Sequence, residues 1–304
     1  MPDWQERITR ETAPSIRVEH ELRYAAAAPL VHASAAWCDL GCGTGLGAAA
    51  GLGAPYAGTA VLVDVEQHAV EQARMAIDAR AIVPLTADLT SSAELERVRA
   101  ALLEAAPDGR RCVTCFEVIE HLSTFAPLVE LLVELATESD CSVVASVPND
   151  AFFSIENPHH LTTWGEGAVE ELRSLLPSDH VLAHQVALQG SALARADAEV
   201  EEVASVRVER GVPTHFVIAF GPDADRLAAG PRVVQADLEE QRRWERQRES
   251  DLRYTQHAWE RLEEEVARVA EFRAYIHELE RRLGLPLSGV ERPGDGAGGA
   301  SDGS

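Results

Sequence analysis

From residue 35 onward the chain alternates short apolar runs with longer stretches whose apolar residues recur at helical spacing. The runs 35–40, 58–64, 81–87, 112–116 and 141–147 have the length of buried strands, and 45–51, 66–79, 91–105 and 124–137 read as helices between them. Strands separated by helices at this interval give βαβ units and a parallel sheet. A helix near 165–176 and two more strands, 181–188 and 215–220, follow. The expectation is therefore an α/β domain over 35–221, its sheet seven-stranded with helices on both faces, preceded by a helical lead-in or cap over 1–34.

The pattern then changes. Gly221-Pro222 and Gly230-Pro231 punctuate a linker over 222–233, after which 234–283 contains neither Gly nor Pro. Within it Leu252, Thr255, Trp259, Leu262, Val266, Val269, Ile276 and Leu283 fall on alternating three- and four-residue steps. Arg273 and Glu280 interrupt that seam, and Phe272 and Leu279 take it up one position earlier. About four heptads of this kind predict a helical coiled coil that makes the protein a homodimer; one long helix packed on its own domain is the alternative. The tail 284–304 is rich in Gly, Ser and Asp, has little to bury and is expected to be disordered.

Charge narrows the partners. The formal net charge is −23; residues 1–222 carry 32 acids against 14 arginines, and 223–304 carry 18 against 13. The half expected to do chemistry is the more acidic one, and the chain holds no lysine at all. Phosphate backbones are bound by clustered Lys and Arg, so long nucleic acid is not the expected partner. Apolar runs stop well short of the roughly 18 residues of a membrane span, and the N-terminus lacks the build of a signal peptide. A cytoplasmic protein acting on a small molecule, with no membrane partner, is the expectation. The five cysteines, 38, 42, 112, 115 and 141, lie in or beside strands. Cys112 and Cys115 have the spacing of a zinc or redox pair, but no second pair completes a zinc site; buried free thiols are expected.

The first strand runs directly into Asp39-Leu40-Gly41-Cys42-Gly43-Thr44-Gly45. Glycines there allow a tight turn and close approach of a ligand to the backbone, with the N–H groups of the next helix pointing at it. Gly43, Gly45 and Ala48 also satisfy a dinucleotide-type spacing, so the turn by itself leaves that reading open. The acids go further. Asp39 before the turn suits a cationic ligand. Asp64 and Val65 end the second strand, where a carboxylate accepts ribose hydroxyls. Asp88 and Leu89 end the third, within reach of an adenine amino group.

Through Asp39–Gly45, Asp64 and Asp88, over about residues 15–221, the sequence resembles the class I S-adenosylmethionine (SAM)-dependent methyltransferases. The resemblance implies a Rossmann-like methyltransferase sheet and SAM as cofactor. It assigns the methionine moiety to the loop (Asp39, Gly41, Cys42, Gly43, Gly45), the ribose to Asp64 and Val65, and the adenine to Asp88 and Leu89. Phe116 and Glu117 adjoin the same site.

After the fourth strand comes Phe116-Glu117-Val118-Ile119-Glu120-His121, and after the fifth Glu156-Asn157-Pro158-His159-His160. Positions i, i+3 and i+4 share one face of a helical turn, so Glu117, Glu120 and His121 can converge, and His160 comes from the same rim of the sheet. Two chemistries follow. His121, with Glu120 and His160, supplies a general base for a hydroxyl; or Glu117, Glu120, His121 and His160 bind a divalent metal, Mg or Mn, that acidifies it. The Glu-x-x-Glu-His with a downstream His is similar to the metal site of the small-RNA 3′-terminal 2′-O-methyltransferases. The flanks, Glu19-His20, Arg23-Tyr24, Asn157-Pro158-His159-His160, Gln189-Gly190 and 216–219, look like the methyltransferases of bacterial surface-polysaccharide biosynthesis, which methylate sugar hydroxyls. His20 and Arg23, one helical turn apart, are either a solvated face or a cover that sets Arg23 over the cofactor carboxylate. The expectation is O-methylation of a sugar or other small molecule. RNA 2′-O-methylation, and a non-catalytic SAM- or nucleotide-binding scaffold acting through its coiled coil, are the alternatives.

Overall fold

The computed structural model describes residues 7–153, 157, 159–187, 212–227 and 238–285. It forms two units, Met1–Asp237 and Leu238–Ser304.

The first unit opens with helix α1 (Pro14–Ala33). Strand and helix then alternate: β1 (Ala36–Leu40), α2 (Leu46–Gly51), β2 (Tyr56–Asp64), α3 (Gln67–Ala76), β3 (Ala79–Thr86), α4 (Ser92–Ala105), β4 (Arg111–Phe116), α5 (Ala126–Glu138) and β5 (Cys141–Pro148). A short α6 (Asp150–Phe153), α7 (Glu166–Ser174), β6 (Val181–Gln185) and β7 (His215–Phe220) complete it. The seven strands form one sheet in the order β3-β2-β1-β4-β5-β7-β6. The first five are parallel, whereas β7 runs antiparallel to both β5 and β6. This is the seven-stranded Rossmann-like α/β sheet expected. The strand expected over 181–188 stops at Gln185, and Leu188 and Gln189-Gly190 lie outside the described residues.

Side chains alternate across the pleat, which divides the core in two. On one face Ala36, Cys38, Leu40, Val113, Cys115, Val143 and Phe216 pack with Leu95 and Leu102 of α4, Leu128 and Leu135 of α5, and Trp164. On the other, Trp37, Leu62, Cys112, Phe116, Val144 and Val217 pack under Tyr24, Ala27 and Val31 of α1 and Val70 and Ala73 of α3. Cys112 and Cys115 consequently point to opposite faces, and all five thiols are buried and unpaired. Strand β3 is one of the two edges of the sheet. It tolerates Pro84 inside the strand because an edge position leaves one row of backbone groups unpaired in any case.

The second unit is α8 (Leu238–Leu283), a single helix of 46 residues. The expected seam lies on it, and the part of the expected tail beyond residue 285 is outside the described residues. No helix among the described residues is long and apolar enough to cross a membrane.

Candidate functional site

The carboxyl ends of β1, β2, β3, β4 and β5 share one rim, and the expected site residues gather along it. The loop after β1 takes positive φ at Gly41 (71°), Gly43 (52°) and Gly45 (75°). A Cβ on Gly41 would run into Val118 Cγ2, whereas one on Gly43 would meet only the Arg7 side chain, at 4.0 Å. Gly41 is thus fixed by packing, and Gly43 is the position where the loop backbone is open to a ligand. Cys42 is buried, and its N–H is committed to Val63 O at 2.9 Å, tying the loop to β2.

Asp64 organises the loop from the tip of β2. Its Oδ2 accepts the Gly43 N–H at 3.0 Å, and its Oδ1 accepts the Glu66 N–H at 3.0 Å and Arg7 Nη2 at 2.8 Å. Val65 beside it is exposed. Asp88 is exposed at the end of β3, where Oδ1 accepts the Thr90 N–H and hydroxyl at 2.9 and 2.7 Å; these bonds hold its carboxyl below the usual carboxylate range. Leu89 departs from expectation: it is buried in the core with Leu95 and does not line the rim.

Asp39 is a larger correction. It is completely buried, in line with Trp37 on the face covered by α1, and does not open onto the loop. Tyr24 Oη donates to its two oxygens at 3.0 and 2.9 Å, and Thr114 Oγ1 donates at 2.6 Å while accepting from Trp37 Nε1 at 2.8 Å. Burial pushes the Asp39 carboxyl up to about 7 despite these donors. Its role is to brace α1 against β1 and β4. Phe116 adjoins the same brace, its ring edge-to-face with Tyr24 at 4.9 Å.

The segment after β4 carries the acids. Glu117 has a positive φ of 55°, a conformation that costs a non-glycine residue about 1–2 kcal/mol. In that position its Oε1 accepts from Ser146 Oγ at 2.7 Å and its Oε2 lies 3.2 Å from His215 Nε2. Burial by itself raises the Glu117 carboxyl, but Arg23 and His215 outweigh it and hold the group low. Arg23 is buried, donates to Gln185 Oε1 at 3.1 Å, and leaves Nε and Nη2 without partners. Of the two readings of His20 and Arg23, the solvated face therefore fails for Arg23.

Glu120 lies one 3-10 turn further on, fully buried, with neither carboxylate oxygen hydrogen-bonded. Burial and then the neighbouring Glu117 push its carboxyl well up. Glu120, His121 and His160 offer ligand atoms that all lie within 4.8 Å of one another. His121 Nδ1 donates to His159 O at 3.1 Å, and His160 Nδ1 to Asp150 Oδ1 at 3.0 Å. Both acceptors lack a proton to give, so each Nδ1 is the donor, and in the neutral ring the lone pair is on Nε2. Asp150 is itself fixed by the Trp164 N–H at 2.6 Å. The expected metal set thus converges as three residues, and Glu117 is held apart from it by Ser146 and His215.

Asp150, His215 and Tyr24 are the residues sequence reasoning missed. His215 had a usable signal: it opens the strand that runs antiparallel, and the first residue of such a strand falls on the rim where the parallel strands end, opposite Pro148.

No family profile matches the sequence, and neither does any curated protein. Among solved structures, the small RNA methyltransferase HEN1 aligns at TM-score 0.46 and 16% identity, over 76% of this chain and 28% of that one. A SAM-dependent methyltransferase from Archaeoglobus fulgidus aligns at 0.42 and 15%, over 67% and 93%. The N-methyltransferase NodS from Bradyrhizobium japonicum aligns at 0.39 and 13%, over 69% and 97%.

Proposed function

We propose that the chain is a SAM-dependent methyltransferase whose acceptor is a hydroxyl of a sugar or another small molecule. The observation that carries this reading is the pairing of the open Gly43 backbone with Asp64, next to the exposed Asp88 at the adjoining strand end. That gives a backbone cradle, a carboxylate for ribose hydroxyls and a second acid for an adenine amino group, in the order a SAM molecule would need. The sheet supports it against a dinucleotide enzyme, whose doubly wound order is 3-2-1-4-5-6 with strands parallel; here an antiparallel β7 is inserted between β5 and β6.

The cofactor, when bound, supplies a methyl carbon made electrophilic by its sulfonium. The chain's own contribution is position and charge. Asp64 sets the loop and would receive the ribose, and Glu117, ionised and held by Ser146 and His215, would complement the cofactor's positive charge. Transfer forms an O–C bond and breaks the C–S bond, whose electron pair stays on sulfur. The acceptor's proton must leave, and His121 and His160, with lone pairs on Nε2, are the bases within the group.

The same group fits a divalent cation. A buried carboxylate with both oxygens unbonded is costly unless a cation or proton completes it, and two imidazoles with fixed tautomers stand beside it. Glu120, His121 and His160 would hold the ion, which would acidify an acceptor hydroxyl. That favours, as a second reading, metal-assisted 2′-O-methylation of an RNA end; the net charge of −18 over residues 1–222 supports the small-molecule acceptor instead. Calorimetric titration with SAM and with NAD separates the cofactor readings, and tight NAD binding without SAM binding defeats the proposal. A methyl-transfer screen over nucleotide sugars and short RNAs then decides the acceptor.

A further inference from the structure

Helix α8 carries a long apolar seam that is open to solvent: Leu252, Trp259, Leu262, Val266, Val269 and Ile276 are between 44% and 62% exposed. Helices of this length in water depend on burying such a stripe. Much of the flanking polar surface is paired within the helix, as in Arg253–Glu249 at 2.6 Å and Arg282–Glu278 at 2.9 Å, whereas the exposed pair of Glu265 with Arg268 at 2.7 Å is one a partner's charge can exchange with. Within its own unit the seam therefore has no apolar cover, and the charges inside it determine which cover fits.

We propose that α8 pairs with a second copy of this chain as an antiparallel two-stranded coiled coil, centred where Val266 packs against the partner's Val269. In heptad terms, Leu252, Trp259, Val266, Arg273 and Glu280 occupy a, and Thr255, Leu262, Val269, Ile276 and Leu283 occupy d. A parallel, in-register pair sets each a residue against itself. Arg273 would then face the partner's Arg273, Glu280 the partner's Glu280, and Trp259 a second indole. Two like-charged layers in one short coil are strongly disfavoured.

Antiparallel pairing matches a with d and removes both conflicts. Leu252 meets the partner's Leu283, and Trp259 meets the partner's smaller Ile276. Glu280 falls opposite the partner's Thr255. Arg273 falls opposite the partner's Leu262, with its guanidinium directed to the flanking g position, which is the partner's Glu265. Of the other g residues, Leu279 lies beside the partner's Ala258, extending the apolar strip at the end where a positions turn polar, and Phe272 lies beside the partner's Glu265, where its ring covers the stem of that side chain.

The test uses the full chain, whose five native thiols are buried. Leu252→Cys and Leu283→Cys are made singly and together, and mass in solution is measured before mild oxidation. A dimer is expected in all three. The double variant should cross-link between chains to near completion and a mixture of the two single variants in about half of its dimers, while each single variant alone stays largely unlinked. Arg273→Glu should weaken the dimer about tenfold, and adding Glu265→Arg should restore it. A chain that stays monomeric across the concentration range overturns the proposal. So does efficient linking of Leu252→Cys to itself, which means a parallel pair, or charge reversal without rescue.

Discussion

Arg7 reaches across the open glycine of the loop to Asp64, its Nη2 2.8 Å from Oδ1 and its Nη1 3.1 Å from Glu66. Thr44 Oγ1 donates to the neighbouring Ile8 O at 2.5 Å, so the segment before α1 is tied to the loop at two points. The carboxylate assigned to a cofactor ribose is therefore already engaged by the chain itself. Binding must displace that pair, and a hydrogen bond to a charged group is worth about 1.5–3 kcal/mol. Arg7→Ala is expected to tighten binding of S-adenosylhomocysteine about tenfold, read by calorimetry. Weaker binding instead would make Arg7 part of the cofactor's own cover.

Gly41 tests the loop's construction independently of any ligand. Gly41→Ala adds a Cβ against Val118 Cγ2 at a φ of 71°. Overpacking costs about 1–3 kcal/mol and the left-handed backbone about 1–2, so the variant should lose about 3 kcal/mol in chemical denaturation. Adding Val118→Ala should remove the collision and its share of the loss. A loss unaffected by Val118→Ala would mean the collision is not what fixes this glycine.

For the acid–histidine group the measurement is Mn²⁺ binding, followed by electron paramagnetic resonance. Glu120→Gln should abolish it. Asp150 touches no expected ligand atom except through His160, whose tautomer it sets; partners of that kind typically change affinity 10- to 100-fold. Asp150→Asn should therefore weaken binding by about that factor, with the fold intact by circular dichroism. Wild-type protein that binds no Mn²⁺ ends the metal reading and leaves His121 and His160 as bases.

The sequence made the loop, Asp64 and Asp88 legible because each sits at a strand end, and a strand end can be found from local apolar pattern alone. The same logic misread Asp39. Its position was right, but its orientation depends on Tyr24, 15 residues earlier on another element, and Thr114, 75 residues later on the adjacent strand. Leu89 was misassigned for a related reason: the acid before it points out of the sheet, and the next residue turns into the core. Glu117 was grouped with Glu120 and His121 by helical spacing, yet the chain there makes a left-handed residue and a 3-10 turn, which sends Glu117 to Ser146 and His215 instead. Ser146 on β5 carries no spacing signal, and His215 only its place at the start of β7.

The misread acid yields the clearest pH prediction. Asp39 is fully buried, and burial moves its carboxyl up to about 7 although Thr114 and Tyr24 donate to it. Unfolded, it would titrate near 3.9. The folded state therefore holds this proton more tightly, and the stability it gives is fully present below pH ~4 and lost as pH rises through about 7. Over roughly three pH units this amounts to about 4 kcal/mol. Asn at this position keeps the shape and an oxygen for the Tyr24 hydroxyl but cannot ionise. Denaturation midpoints of wild type and Asp39→Asn should thus diverge between about pH 4 and 7, with the variant gaining relative stability as the pH rises and no further change above that. Parallel curves would place the Asp39 carboxyl in the ordinary range and require another source of charge compensation beneath α1.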